Sequence, residues 1–271
     1  GVLLNLILAP LLILYFELGI TGAAIATLIS QCFGCAILFW MTHKGQNIRI
    51  HLRYFTPSKA YAKEIIFGGT PSLSRQGLGS IATLVLNVAA GAYGDAAIAG
   101  MSIVTRISFF TYAVVIGLGQ GFQPLCGFCY GARLYARVKE AFYYCIKCGT
   151  IFLAICAVIG FIFSEPIIEL FRDDTKVIEV GSMALKWQVI SFPLVATIVL
   201  TNMLMQTIRK PIRANIVAAA RSGLFFIPLI FILPLFFGLL GVEMCQAWAD
   251  FCSFAVAIPI AWSAFRDMRK V

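Results

Sequence analysis

Charge is scarce in this sequence, and histidine scarcer still. Only 12% of the 271 residues are charged, and the two histidines, His43 and His51, fall outside every apolar run. A water-soluble domain carries about 25% charged residues, so a chain this poor in them cannot cover a surface facing water. No GxxxxGK[ST] loop is present, which removes the usual cradle for direct nucleotide coupling. Asp250 is the only carboxylate well inside an apolar run. With no histidine beside it, neither a nucleophile–base pair nor a metal cluster is on offer to a membrane-embedded enzyme. The chain reads as a non-enzyme.

What is abundant is apolar: 61% of the residues, with a mean hydropathy of +0.92. A spanning helix needs roughly 17–25 mostly apolar residues, and eight runs are read on that basis, the first of them short because the chain is expected to start inside a helix: 2–16, 20–41, 65–90, 96–121, 141–163, 181–205, 214–237 and 242–264. The fourth continues, glycine-rich, to about Gly131, with its tail expected to leave the hydrocarbon. No alternation of a barrel strand is visible. The expected fold is therefore an all-α integral membrane protein of about eight transmembrane helices. The opening Gly1-Val-Leu-Leu, with no Met or basic region ahead of it, predicts a fragment starting inside a helix rather than a signal peptide.

The formal charge of +9 suits a nucleic-acid binder only if it gathers on a folded face. Here it is dealt out between spans, so no nucleic acid is expected; the partners are the lipid bilayer and small molecules. Arg172, Lys176 and Lys186 lie on one side, and Arg75 and Arg106 lie within spans. All the remaining Lys and Arg of the 21 fall in segments 42–64, 131–147, 206–221 and 265–271. The basic side is read as cytoplasmic, which places the C-terminus inside and the chain, multi-pass, in a plasma membrane.

Segment 42–64 reads as a cytoplasmic linker, with Thr56-Pro57 as an N-cap and first helical residue. A weak internal repeat lays Gly22–Gln31 on Gly241–Asp250, each after a short outward turn. Such symmetry is common in secondary transporters.

Charged side chains within spans cost at least about 2.5–3.5 kcal/mol. Arg75, Arg106 and Asp250 are thus expected to face the bundle interior, Asp250 paired with Arg106 by depth. Gln76, Asn87, Gln120, Gln123, Gln188, Asn202 and Gln206 complete the candidate cavity or gating set, although amides in such helices also serve as interhelical glue. Gly117, Gly119, Gly121, Gly127 and Gly131 with Pro124 mark a helix able to bend or to pack closely. Three C-x-x-C pairs, Cys32/Cys35, Cys126/Cys129 and Cys145/Cys148, fall in or beside spans and read as packing residues.

Gly117–Arg133 (GLGQGFQPLCGFCYGAR) followed by Arg137-Val-Lys-Glu-Ala141 resembles the signature of the multidrug and toxic compound extrusion (MATE) family. Pro71–Gly77, Tyr93–Gly100, Asn5–Pro10 and the stretch from Gly22 to Gln31 resemble it too. The resemblance implies twelve spans in two six-helix lobes. Residues 1–41 would hold the last two helices of the first lobe, 42–64 the inter-lobe linker, and 65–271 the whole second lobe. The missing N-terminal helices of the same protein then become a partner. It also implies export of cationic and amphipathic compounds in exchange for Na⁺ or H⁺, with no other cofactor. The chain departs from the family pattern at Ala9, where many members have aspartate before the proline, and in runs 65–90 and 181–205, which lack embedded carboxylates. The coupling ion is thus left open. A flippase for lipid-linked oligosaccharides is the alternative, and would call for a strongly cationic cavity.

Overall fold

The structure, a computed structural model, describes residues 1–44 and 58–268. Thr56-Pro57, His51 and the centre of the expected linker lie outside the described residues. Two compact units divide at Tyr61/Ala62.

In the first unit, α1 (Val2–Pro10) runs into a π-helical segment, Leu11–Tyr15, whose closing bond is Phe16 N–H to Leu11 O at 3.2 Å. After a turn, α2 (Gly19–Lys44) folds back on it. The seam is a row of small residues, Gly22, Ala26 and Ser30, spaced one helical turn apart and buried where the rest of α2 is largely exposed. A Cβ on Gly22 would stand 2.8 Å from the Leu12 carbonyl oxygen, so only glycine allows this close approach. Small residues let helices meet where lipid supplies no hydrophobic drive.

The second unit contains α3 (Lys59–Gly91, from Ala62 on), α4 (Asp95–Gly131), α5 (Tyr135–Ile162), the short α6 (Ser164–Glu169) and α7 (Thr175–Thr207). A further rod is built from α8 (Pro211–Ala219), a π-helical segment Ala220–Leu224 and α9 (Phe226–Phe237). The last helix is α10 (Leu239–Met268). α7 is the axis: it buries one broad side from Gly181 on and every residue from Ile198 to Met205, with α4, α5 and α10 packed round it. On α4 the buried stripe runs Met101, Val104, Ser108, Tyr112, Val115, Gly119, Phe122, Cys126, Cys129. That alternation of three and four residues is the seam of a helix buried along one side.

Among the described residues, six helices are both long and apolar enough to cross a bilayer: α2, α4, α5, α7, α10 and the rod Pro211–Phe237. Val2–Tyr15 is apolar but shorter, and α3, though 33 residues long, is not among the six. The chain is an all-helical, multi-pass membrane protein. At 37 residues α4 is about 55 Å long, well beyond the roughly 30 Å hydrocarbon core. Helix therefore continues unbroken through the tail that the sequence places outside the lipid.

The basic connections converge on one end of this unit. The α7–α8 turn meets the end of α10 there, with Lys210 Nζ and Arg213 Nη1 both donating to Asp267 Oδ2, the latter at 3.0 Å. The start of α5 joins them through Phe142, whose ring lies 5.2 Å from that of Phe265. Both α4 and α7 end there with an arginine in the left-handed region, Arg133 (φ 59°) and Arg209 (φ 56°). Each turn closes by the same bonds, Leu134 N–H to Cys129 O (2.8 Å) and Lys210 N–H to Met205 O (2.9 Å), which satisfy the last helical carbonyls.

The repeat seen in the sequence has a local counterpart. Gly241, like Gly22, opens a helix after a turn and lies against the backbone of the preceding one, where a Cβ would meet Leu233 O at 2.5 Å.

Candidate functional site

The deepest charge in the second unit is Asp250, with none of its surface exposed. It sits on the buried stripe of α10, in register with Ser253 and Ala257. A buried carboxylate is tolerable only if its lone pairs are filled, and here four donors fill them. Oδ1 accepts from Arg221 Nε at 2.7 Å and from Gln246 Nε2 at 3.1 Å. Oδ2 accepts from the Ser191 hydroxyl at 3.0 Å and from Gln188 Nε2 at 3.3 Å. Gln188 and Ser191 are three residues apart on α7, so they share a face.

Tyr112 of α4 closes the cluster. Its hydroxyl accepts from Gln188 Nε2 at 3.0 Å, and its ring lies under the Arg221 guanidinium, 4.6 Å from its centroid. Phe192 packs edge-on against that ring at 5.1 Å. Four stretches of chain thus meet at one ion pair: α4, α7, the π-helical segment and α10. Arg221 lies inside that segment, where Phe225 N–H reaches Ala220 O at 3.1 Å. The extra residue in such a turn re-aims a side chain, and π turns recur at functional sites.

The other sequence candidates divide around this centre. Gln123 Nε2 donates to Gln206 Oε1 at 3.3 Å, and Gln206 Nε2 to Ser72 Oγ at 3.3 Å, a polar chain that ties α4 to α7 and α7 to α3. Asn202 Nδ2 donates to the Ala214 carbonyl at 2.7 Å and so fastens α8 to α7. Arg75 and Asn87 are half-buried on α3, whereas Gln76, Gln120 and Arg106 are exposed. The expected Arg106–Asp250 pair is not formed, because Arg106 projects from the opposite side of α4 to the stripe that carries Tyr112.

The true partner, Arg221, belongs by sequence to the basic segment 206–221. Yet it also lies within the apolar run 214–237, and that overlap is the signal by which it could be found. Of the glycines in 117–131, Gly119 alone is pressed tightly: a Cβ there would stand 2.2 Å from Met203 Sδ. Cys126, Cys129 and Cys145 are buried among Phe122 and Phe142, and no group of three or more metal-ligating side chains occurs among the described residues.

A family model named MatE matches residues 71–232, the stretch that carries Tyr112, Gln188, Ser191 and Arg221. The chain belongs to the MatE family. Among MatE relatives, it is 28% identical over 240 residues to the multidrug export protein MepA of Staphylococcus haemolyticus (strain JCSC1435), covering 88% of this chain and 53% of that protein. The MepA of Staphylococcus aureus (strain MSSA476) is 30% identical over 243 residues, again with 88% and 53% covered. The chain thus spans about half the length of the relatives it matches. The fold is shared with a mutant of the Vibrio cholerae MATE transporter VcmN, at a TM-score of 0.89, 23% identity, and coverage of 98% of this chain and 60% of that one. A MOP superfamily transporter from Pyrococcus furiosus superposes with a TM-score of 0.90 at 23% identity, covering 99% and 61%.

Proposed function

We propose that this chain is part of a secondary active multidrug exporter in a bacterial plasma membrane. It would expel amphipathic or cationic compounds by antiport with Na⁺ or H⁺, with its C-terminus in the cytoplasm. The observation that carries this reading is the likeness, over 88% of the chain, to proteins named for multidrug export. The site's chemistry agrees with it. Around Asp250 the two charges cancel in one pair and the remaining polar groups are amides and hydroxyls, a set suited to holding helices and ligands rather than to bond breaking. The neutral Arg221–Asp250 pair also favours an exporter over a flippase for lipid-linked oligosaccharides, whose pyrophosphate would require unneutralised positive charge.

The test is efflux of ethidium from energised cells of a bacterium lacking its own exporters, expressing the whole open reading frame that encodes this chain. Efflux is expected to require either the Na⁺ or the H⁺ gradient and to stop when an ionophore collapses the right one. Absence of efflux for ethidium and other amphipathic cations, or efflux indifferent to both ionophores, would overturn the proposal.

A further inference from the structure

Arg221 is held by one edge only. Its Nε is committed to Asp250 at 2.7 Å, and Tyr112 lies against its face, ring and hydroxyl both beside the guanidinium. A guanidinium carries five N–H donors, so those at the outer edge of the two Nη atoms outnumber the partners that Asp250 and Tyr112 supply. Asp250 is wholly enclosed, yet 21% of the Arg221 side chain is open. The outer edge therefore reaches accessible space.

The depth of that edge decides what the space contains. Arg221 lies ten residues into the rod that starts at Pro211, about 15 Å along it, and the rod is one of the six helices fit to cross a bilayer. A cation half-way across the hydrocarbon cannot face acyl chains without a cost of several kcal/mol, so the open edge faces the bundle interior, where a polar ligand can reach it. Its geometry is fixed in advance. Asp250 is held by Gln246, Ser191 and Gln188 independently of Arg221, and the stacked ring sets the plane of the fork. A planar, immobilised pair of N–H groups matches the two oxygens of a carboxylate. Asp250 cancels the net charge, so the pair does not drive away a cation elsewhere on the same molecule.

We propose that the outer edge of Arg221 is a recognition point for a single carboxylate on an amphipathic compound, by which this lobe prefers zwitterions to the corresponding cations. The inference rests on the exporter reading for its occupant, but it is tested by binding alone. The probes are tetramethylrhodamine, a zwitterion, and its methyl ester, a cation of the same shape. Their fluorescence anisotropy is followed on the purified full-length protein in lipid nanodiscs. Wild type is expected to bind the acid about tenfold more tightly than the ester, as a charge-assisted hydrogen-bonded pair provides.

The double variant Arg221→Gln with Asp250→Asn, neutral and close in shape, should bring that ratio close to one. Arg221→Lys, which keeps the ion pair but not the fork, should also lower it, and it serves where the double variant fails to fold. A wild-type ratio near one overturns the proposal, as does a preference that survives in the folded variants. Acid preference without any export would sink the exporter reading and leave this one; export without acid preference would sink this one alone.

Discussion

Arg221 and Asp250, 29 residues apart in the chain, meet at 2.7 Å across two helices, with Tyr112 stacked on one and Gln188 bonded to the other. The pair is asymmetric. Asp250 is sealed and Arg221 is partly open, so loss of the arginine strands a carboxylate with no route to water, whereas loss of the aspartate leaves a cation with an accessible edge.

That asymmetry sets the first prediction. Arg221→Ala should destabilise the protein by about 3–5 kcal/mol, the usual consequence of orphaning a buried charge. Asp250→Asn should cost less, because the amide oxygen still accepts from Ser191 or Arg221. A double-mutant cycle on Arg221→Gln and Asp250→Asn, read from denaturation of the purified protein in detergent, should show coupling of at least about 1 kcal/mol. The same cycle on Arg106→Gln and Asp250→Asn should be additive, since those residues do not touch. Coupling in the second cycle and none in the first would refute the arrangement.

The contrast between Arg221 and Arg106 also shows what is legible in the sequence. The rods are, because length and apolarity alone define a bilayer-crossing helix, and the runs at 20–41, 96–121, 141–163, 181–205, 214–237 and 242–264 all reappear, to within one residue, inside the six apolar helices. Depth is legible too, and by depth alone Arg106 matches Asp250. Azimuth is the missing coordinate, although the pattern carries it. Met101, Val104, Ser108, Tyr112 and Val115 repeat at three and four residues, and Arg106 falls outside that stripe, two residues or about 200° before Ser108. What no pattern reveals is the π-helical turn at Ala220–Leu224. Arg221 lies within it and meets Asp250 from there.

Close helix crossing gives the second prediction. A Cβ on Gly100 of α4 would lie 3.1 Å from the backbone nitrogen of Gly181 on α7, and backbone cannot step aside as a side-chain end can. Gly100→Ala should therefore destabilise the protein by about 1–3 kcal/mol. Nothing lies within 4 Å of a Cβ at Gly117 or Gly121, so alanine there should be neutral or gain up to about 1 kcal/mol from helix propensity. Thermal unfolding of the three variants separates the cases. Equal losses at all three positions would mean that the crossing at Gly100 is not the constraint.

The final prediction concerns orientation. Arg133, Arg209, Lys210 and Arg213 share one end of the second unit with the last turn of α10, while Asp173 and Asp174 lie in the turn from α6 to α7, where the Asp174 side chain accepts from Lys176 N–H as an N-cap. If the basic end is cytoplasmic, as we propose from the distribution of Lys and Arg, the α6–α7 turn faces out. Both probe positions are exposed: Asp173 in that turn, and Arg137 in the first turn of α5. The background must lack the nine native cysteines, with Cys126, Cys129, Cys145 and Cys245 replaced by alanine or serine, since these four are buried and intolerant of bulk. In intact cells an impermeant maleimide should label Asp173→Cys and spare Arg137→Cys. After permeabilisation both should react. Labelling of Arg137→Cys alone in intact cells would invert the topology and place the Asp267 clasp, with Lys210 and Arg213, on the outer surface.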